Sequence, residues 1–198
     1  MSTNIAIGQS YNRVDGILSD TAIYIFARGS KTKAGAIARR FNVADTLISH
    51  VGIGYVESGM VRIFNMVDDR LPGESALLID TYESFIDRGT TYVSIWKADS
   101  TLAELQKLKK ELAGFAKKNI EFDYLFELGS EKLYCSELCY QLLHQTNAAK
   151  YDYVPRVAEL EEFHSTILGR KNLIYYPVDF FQQKGFVKVF EARIEKRD

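Results

Sequence analysis

Residues 49–67 have the sequence SHVGIGYVESGMVRIFNMV, and this stretch determines how the first half of the chain is expected to fold. Residues 49–56 and 61–67 are apolar and rich in β-branched side chains, which is typical of strands. Ser58 and Gly59 lie between the two segments and suit a tight two-residue turn. The stretch therefore predicts a β-hairpin.

The register of this hairpin decides which polar side chains can meet. A two-residue turn pairs Glu57 with Met60. His50 then shares one face with Asn65 and with Asp69, because side chains alternate between the two faces of a sheet. Asn65 lies inside the strand, and its amide oxygen can accept a hydrogen bond from an imidazole N–H. A slip of one residue would separate these side chains, and Asp69 is the alternative partner.

The rest of the chain combines short strands with a few helices. Thr101 and Glu104 fit a capping box, and apolar residues recur behind them at helical spacing. No internal repeat or Gly/Ser/Pro-rich linker divides the chain, so residues 1–198 are expected to form a single domain. The pattern predicts an α+β fold in which an antiparallel sheet packs against a few helices. Predicted helices cover residues 34–41, 81–88, 101–118 and 134–144, and further strands cover 21–27, 77–79, 92–96, 173–176 and 186–192.

Composition and charge argue against several classes of function. The chain has 25 Lys and Arg against 26 Asp and Glu, a net charge of -1, which disfavours nucleic acid as a partner. No apolar run approaches the roughly 20 residues that cross a bilayer. The first residues lack a basic segment followed by an apolar one, so we expect no signal peptide and a cytoplasmic location. Cys135 and Cys139 match neither a disulfide framework nor a zinc spacing, so we expect free thiols and no metal or other cofactor.

Cys135 is the strongest candidate nucleophile. It follows a break at Gly129 and Ser130 and opens the predicted helix 134–144, where the helix dipole and unpaired N–H groups lower a thiol pKa. The same N–H groups can stabilise an oxyanion. The alternative is a small buried apolar residue, which is the interpretation we prefer for Cys139, one turn deeper in the helix.

The three histidines can be sorted by elimination. His144 follows Cys135 by nine residues, which places it on the opposite face of the helix and out of reach. His164 lies in a polar segment and is expected at the surface. His50 begins an apolar strand and is the best candidate for a general base, although a structural histidine in the core is the alternative.

The order of three motifs resembles a known family. Residues 49–53 (SHVGI) come first, residues 122–126 (FDYLF) follow, and residues 134–138 (YCSEL) come last. This order is similar to that of the circularly permuted NlpC-type papain-like cysteine hydrolases of the YiiX/YaeF type, in which the histidine strand precedes the cysteine helix. Residues 15–18 (DGIL) and 176–180 (YPVDF) resemble lesser motifs of the family, with Gly and Asp transposed in the first. The resemblance covers roughly residues 13–190.

The resemblance implies a permuted papain-like fold with Cys135 as the nucleophile and His50 as the general base. It also implies a third polar residue on the strand after His50, here Asn65, where many relatives carry Glu. An amide can orient a neutral imidazole but cannot stabilise an imidazolium by charge. Tyr134 and Ser136 flank the nucleophile and are expected at the oxyanion or substrate-binding site.

Three functions remain open at this point. The first is an amidase or peptidase that forms a thioester with Cys135 and acts on a small peptide, an amino-acid amide or an acylated substrate. The second is lipid or acyl-group transfer, or thioester hydrolysis, on the same fold, for which 12 Tyr and 12 Phe would suit an apolar groove. The third is a non-catalytic relative that binds a ligand, which the presence of both Cys135 and His50 disfavours. The sequence does not indicate an oligomeric state.

Overall fold

The computed structural model describes residues 3–6, 14, 16–71, 73–86 and 89–195. Asp15 of the DGIL motif, and residues 87 and 88 of a predicted helix, lie outside these ranges. The strands are β1 (Thr3–Ala6), β2 (Tyr24–Ser30), β3 (His50–Glu57), β4 (Met60–Met66), β5 (Leu77–Asp80), β6 (Thr90–Ala98), β7 (Arg156–Glu159), β8 (Asn172–Tyr175) and β9 (Phe186–Glu195). The helices are α1 (Lys33–Arg40), α2 (Tyr82–Ile86), α3 (Leu102–Phe115), α4 (Cys135–Thr146) and α5 (Glu162–Leu168), with a 3₁₀ turn at Phe180–Gln183.

The larger sheet has seven strands in the order β1-β9-β6-β2-β3-β4-β5. Its pairs are antiparallel except for β1, which runs parallel to β9. The predicted α+β fold with an antiparallel sheet is therefore confirmed. The predicted hairpin register is also confirmed, because Glu57 pairs with Met60. Ser58 and Gly59 both have positive φ, which this type of two-residue turn requires.

Helices and apolar side chains cover both faces of this sheet. On one face, α3 and α4 pack against each other, and α4 lies on β3 and β4. Leu108 and Leu142 are fully buried there in the same apolar core as Ile53. On the other face, Phe85 of α2 packs with Phe26 of β2. The sheet is thus a middle layer, and residues alternating along β3 face different partners.

The helix predicted after residue 101 begins as its sequence indicates. The Thr101 side chain accepts the N–H of Glu104, and the Glu104 carboxylate accepts the N–H of Thr101. Leu105 and Leu112 lie on the buried face of α3 at the expected spacing. The helix ends at Phe115, three residues earlier than predicted.

A small second sheet was predicted only in part at the sequence level. The strand predicted at 173–176 is confirmed as β8, whereas its partner β7 and the helix α5 were missed. β7 and β8 form an antiparallel pair, and α5 connects them. Several outward side chains of this unit are exposed and apolar, including Val157 and Ile174, so the period-two pattern of a half-buried strand is weak. Its inner side buries Leu173 and Tyr175 against Tyr134, the residue before α4. Among the described residues, no helix is long and apolar enough to cross a membrane.

Candidate active site

Cys135 is the first residue of α4, and Tyr134 occupies the N-cap position. The backbone N–H groups of Val51, of Ser136 and of Cys135 itself lie near the thiol sulfur and act to lower its pKa. Val51 is the residue after His50, so the start of α4 meets the start of β3. Cys135 as a residue is 8 % exposed, whereas Cys139 is fully buried. Cys135 therefore lies at a cluster of N–H donors suited to a negative charge.

The surroundings of this thiol have opposite effects on its pKa. Burial raises the pKa of Cys135 above its ordinary value, and the three backbone N–H groups and the Arg28 guanidinium offset part of that effect. The net pKa lies above the ordinary value, so the resting thiol is neutral near pH 7. Burial also places the pKa of Cys139 well above the ordinary value.

His50 is held by a polar side chain from the next strand. Its Nε2 lies 2.9 Å from Asn65 Oδ1. Asn65 Nδ2 donates to Asp80 Oδ2 at 3.0 Å, and a carboxylate only accepts, so the amide oxygen must face the imidazole. Nε2 therefore carries the proton, and Nδ1 is the nitrogen with the lone pair.

Asp80 was missed at the sequence level. It is the last residue of β5. Asn65 pairs with Leu78, which lies two residues before Asp80 in β5, so the side chains of Asn65 and Asp80 lie on the same face of the sheet. Asp80 is 7 % exposed and Asn65 is fully buried. The alternation of side chains along β5 was the available signal, but it becomes useful only once the pairing of β4 with β5 is known.

Two further observations support the placement of Asn65. Asp69, the alternative partner for His50, lies beyond the end of β4 and is exposed. Gly52 leaves room for the amide, because a Cβ at Gly52 would lie 3.0 Å from the Asn65 Cβ and 2.6 Å from a methyl group of Ile63. The glycine therefore permits the close approach of these side chains.

Phe85, which lies on the face of the sheet opposite α4, packs against the side chains of Arg28 and His50. Its ring lies 5.8 Å from the His50 ring at 33°, and the Arg28 guanidinium lies 5.2 Å from its centre. Arg28 and His50 are paired residues of β2 and β3. The sequence did not indicate Arg28, because the predicted strand ended at Ala27.

Tyr134 and Ser136 both bind the backbone of Tyr176. The Tyr134 hydroxyl accepts the Tyr176 N–H at 2.8 Å, and Ser136 Oγ donates to the Tyr176 carbonyl at 2.7 Å. Burial raises the pKa of Tyr134. The side chains of both residues thus hold the start of α4, and it is the backbone N–H of Ser136 that faces the thiol.

Two buried carboxyl groups, those of Asp123 and Glu137, bind the loop before α4. Asp123 is 2 % exposed and accepts the N–H groups of Leu125 and Glu127, the role of a turn former. Glu137 Oε1 accepts the Gly129 N–H and the Gln141 amide, each at 3.3 Å, while its Oε2 is buried with no hydrogen-bond partner. Burial raises the pKa of Glu137 to about 7.

A cavity of about 330 Å³ lies beside the second sheet. Its wall includes Phe41, Asn42, Arg156, His164 and Tyr175, but neither Cys135 nor His50. The cavity is therefore separate from the thiol. The other histidine, His144, packs on Tyr140 within α4.

No protein-family model matches the sequence, and no curated protein matches it. The structure is similar to the crystal structure of metalloprotein yiiX from Escherichia coli O157:H7, with a TM-score of 0.61 and 13% identity. The similarity covers 87% of this chain and 98% of that one. At this identity the likeness establishes a YiiX-type fold for the chain and says nothing of its activity.

The side chains of the site do not fit a resident metal ion. The described residues contain no group of three or more His, Cys, Asp or Glu arranged to bind one. Backbone N–H groups and the Arg28 guanidinium near Cys135 both act to lower its pKa, that is, to stabilise a negative charge. This environment favours an anion over a cation.

Proposed function

We propose that the chain is a cysteine hydrolase with a circularly permuted papain-like fold, which cleaves an amide bond. The observation that carries the proposal is the meeting of two elements. Cys135 opens α4 among backbone N–H donors from its own helix and from Val51, and the adjacent residue His50 is oriented by Asn65. A nucleophile, a base and an orienting group are the minimal set for covalent acyl transfer.

The reaction starts from a neutral thiol and a neutral imidazole. As the sulfur of Cys135 attacks the carbonyl carbon, Nδ1 of His50 takes the thiol proton, and the oxygen gains the charge. The N–H groups of Cys135 and Ser136 stabilise this oxyanion. His50 returns the proton to the leaving amine as the C–N bond breaks and a thioester forms. Water, deprotonated by His50, then attacks the thioester and releases the acid and the thiol.

The substrate in this proposal is a small peptide, an amino-acid amide or another acylated molecule. Acyl or lipid transfer, thioester hydrolysis and simple ligand binding are the alternatives that an assay must separate. We further propose that residues 1–198 form one catalytic domain, that nucleic acid is not a partner and that the enzyme works in the cytoplasm. The two free cysteines suit a reducing compartment.

Alkylation by iodoacetamide across pH, with the modified residue located by mass spectrometry, tests the proposal. Base assistance is worth roughly 10²–10⁴-fold in catalysis, so we expect His50→Ala to slow the modification of Cys135 at pH 7 by at least about tenfold. His144→Ala is the matched control and should leave the rate unchanged, because His144 packs on Tyr140. Cys139, fully buried, serves as an internal reference.

The outcomes separate the alternatives. If Cys135 of the wild type reacts no faster than that of His50→Ala at any pH, the two residues do not form a catalytic pair and the ligand-binding alternative gains. If the Cys135–His50 pair is reactive, two assays distinguish a hydrolase from a transferase. A hydrolase releases an amine from peptide amides, whereas a transferase moves the acyl group of an ester to an acceptor. Cys135→Ser must abolish the reaction and Cys139→Ser must not.

A further inference from the structure

Residues 176–179 contact the elements that carry both proposed catalytic residues. At one end of this segment, the backbone of Tyr176 binds the side chains of Tyr134 and Ser136, which flank Cys135. At the other end lies Asp179, which is 2 % exposed. The Asp179 carboxylate points to a different part of the chain, the loop between α1 and β3.

The Asp179 carboxylate binds three successive backbone N–H groups of this loop. Oδ2 accepts from Val43 at 2.9 Å, from Ala44 at 2.8 Å and from Asp45 at 3.0 Å, and Oδ1 accepts from Val43 at 2.9 Å. N–H groups that converge on one anion form a concave site that favours negative charge. Hydrogen bonds to an ionised acceptor are about twice as strong as neutral ones.

The loop continues directly into the strand that begins with His50. Asn42 Nδ2 donates to the carbonyl groups of Asp45 and Ile48 and so closes the loop on itself. Ile48 is fully buried and lies two residues before His50. Displacement of residues 43–45 would therefore be passed through a short, internally bonded stretch to the histidine.

We propose that Asp179 is a positioning residue that sets the place of His50 relative to Cys135, acting through residues 43–45. The inference rests on the proposed Cys135–His50 pair. The 176–179 segment binds the start of α4 through Tyr176 and the loop before β3 through Asp179. It thereby links two elements that are about 90 residues apart in the sequence. A misplacement of about 1 Å can cost about 10²-fold in rate.

Asp179→Asn tests the inference because it preserves size but replaces one acceptor oxygen with a donor and removes the charge. We expect the rate of Cys135 alkylation at pH 7 to fall by at least about tenfold, with the pH profile displaced towards that of His50→Ala. Where Asp179→Asn does not fold, Asp179→Glu retains the charge but shifts the carboxylate, and the same displacement of the profile is expected.

A matched control separates positioning from lost stability. Thr146→Val removes a buried hydrogen bond to the Leu142 carbonyl at the far end of α4, about 16 Å along the helix from Cys135. Melting temperatures of the two variants are compared, and Thr146→Val should retain the wild-type profile. The inference is overturned if a folded Asp179 variant keeps the wild-type profile, or if Thr146→Val shows the same displacement. A wild type whose Cys135 does not depend on His50 refutes the proposed function instead.

Discussion

Glu137 makes the stability of the protein depend on pH in a way that can be calculated. This carboxyl lies in the first turn of α4, two residues after Cys135, and is 1 % exposed. Burial is the largest cause of its raised pKa of about 7, and the nearby Asp123 adds to it. In the unfolded chain the group should titrate near 4.5. Between these two values the folded chain holds a proton that the unfolded chain releases.

The sign and size follow from this difference in proton binding. A raised folded pKa stabilises the protein below pH 4.5, and this contribution is lost as the pH rises through about 7. At about 1.36 kcal/mol for each pH unit, the difference amounts to roughly 3 kcal/mol at full ionisation. Since the unfolded chain is already partly ionised at pH 5, roughly 2–3 kcal/mol of the loss falls between pH 5 and pH 8.

Urea unfolding of the wild type and of Glu137→Gln at pH 5 and pH 8 measures this contribution. The amide keeps an oxygen for the Gly129 N–H but buries an NH₂ group at the position of Oε2, which has no hydrogen-bond partner in the wild type. That cost, about 1–3 kcal/mol, does not depend on pH. We therefore expect the wild type to lose roughly 2–3 kcal/mol relative to the variant on going from pH 5 to pH 8. Parallel pH dependences, or a wild type that gains stability, would refute the assignment.

Three further predictions concern the orientation of His50. Asn65→Ala removes the acceptor that lies 2.9 Å from Nε2 of His50. We expect Cys135 alkylation at pH 7 to slow by about tenfold to a hundredfold, which corresponds to the loss of a hydrogen bond of about 1.5–3 kcal/mol. A wild-type rate would show that the amide does not orient the ring. Asp80→Asn leaves the amide of Asn65 free to turn over, so we expect a smaller loss and a changed His50 titration by NMR, and an unchanged titration would contradict this. Gly52→Ala introduces a Cβ only 3.0 Å from the Cβ of Asn65. Urea unfolding should therefore show a free energy of unfolding lower by about 1–3 kcal/mol, together with slower alkylation of Cys135. A loss of stability without slower alkylation would argue that the close packing of Gly52 and Asn65 does not affect His50.

The parts of the fold that could be predicted depend on local chemistry. The turn at Ser58 and Gly59 fixed the register of β3 against β4, and that register alone brought His50 and Asn65 to one face. The capping box at Thr101 was equally local. Patterns of this kind involve residues a few positions apart, so one sequence contains all the information that they need.

The parts that could not be predicted depend on contacts distant in sequence. The strand predicted at 21–27 in fact covers Tyr24–Ser30, because Arg28 and its neighbours hydrogen-bond to both β3 and β6. Asp80 joins the site through the pairing of β4 with β5, and Asp179 joins it through a loop more than 130 residues away. The side chains of Tyr134 and Ser136, two residues expected at the oxyanion or substrate-binding site, bind Tyr176, and no local pattern encodes this contact.

The side chain that orients His50 and the environment of the Cys135 thiol favour the same order of steps in the proposed mechanism. An amide at Asn65 fixes the proton on Nε2 without adding a charge beside the ring, and the carboxylate of Asp80 lies one side chain further away. The imidazolium form of His50 therefore gains less than it would from a directly bonded carboxylate. Burial opposes the thiolate form of Cys135 as well. Since the thiolate of Cys135 is disfavoured at rest, proton transfer to Nδ1 in the proposed reaction is best coupled to attack on the carbonyl, when the developing charge on oxygen meets the N–H groups at the start of α4.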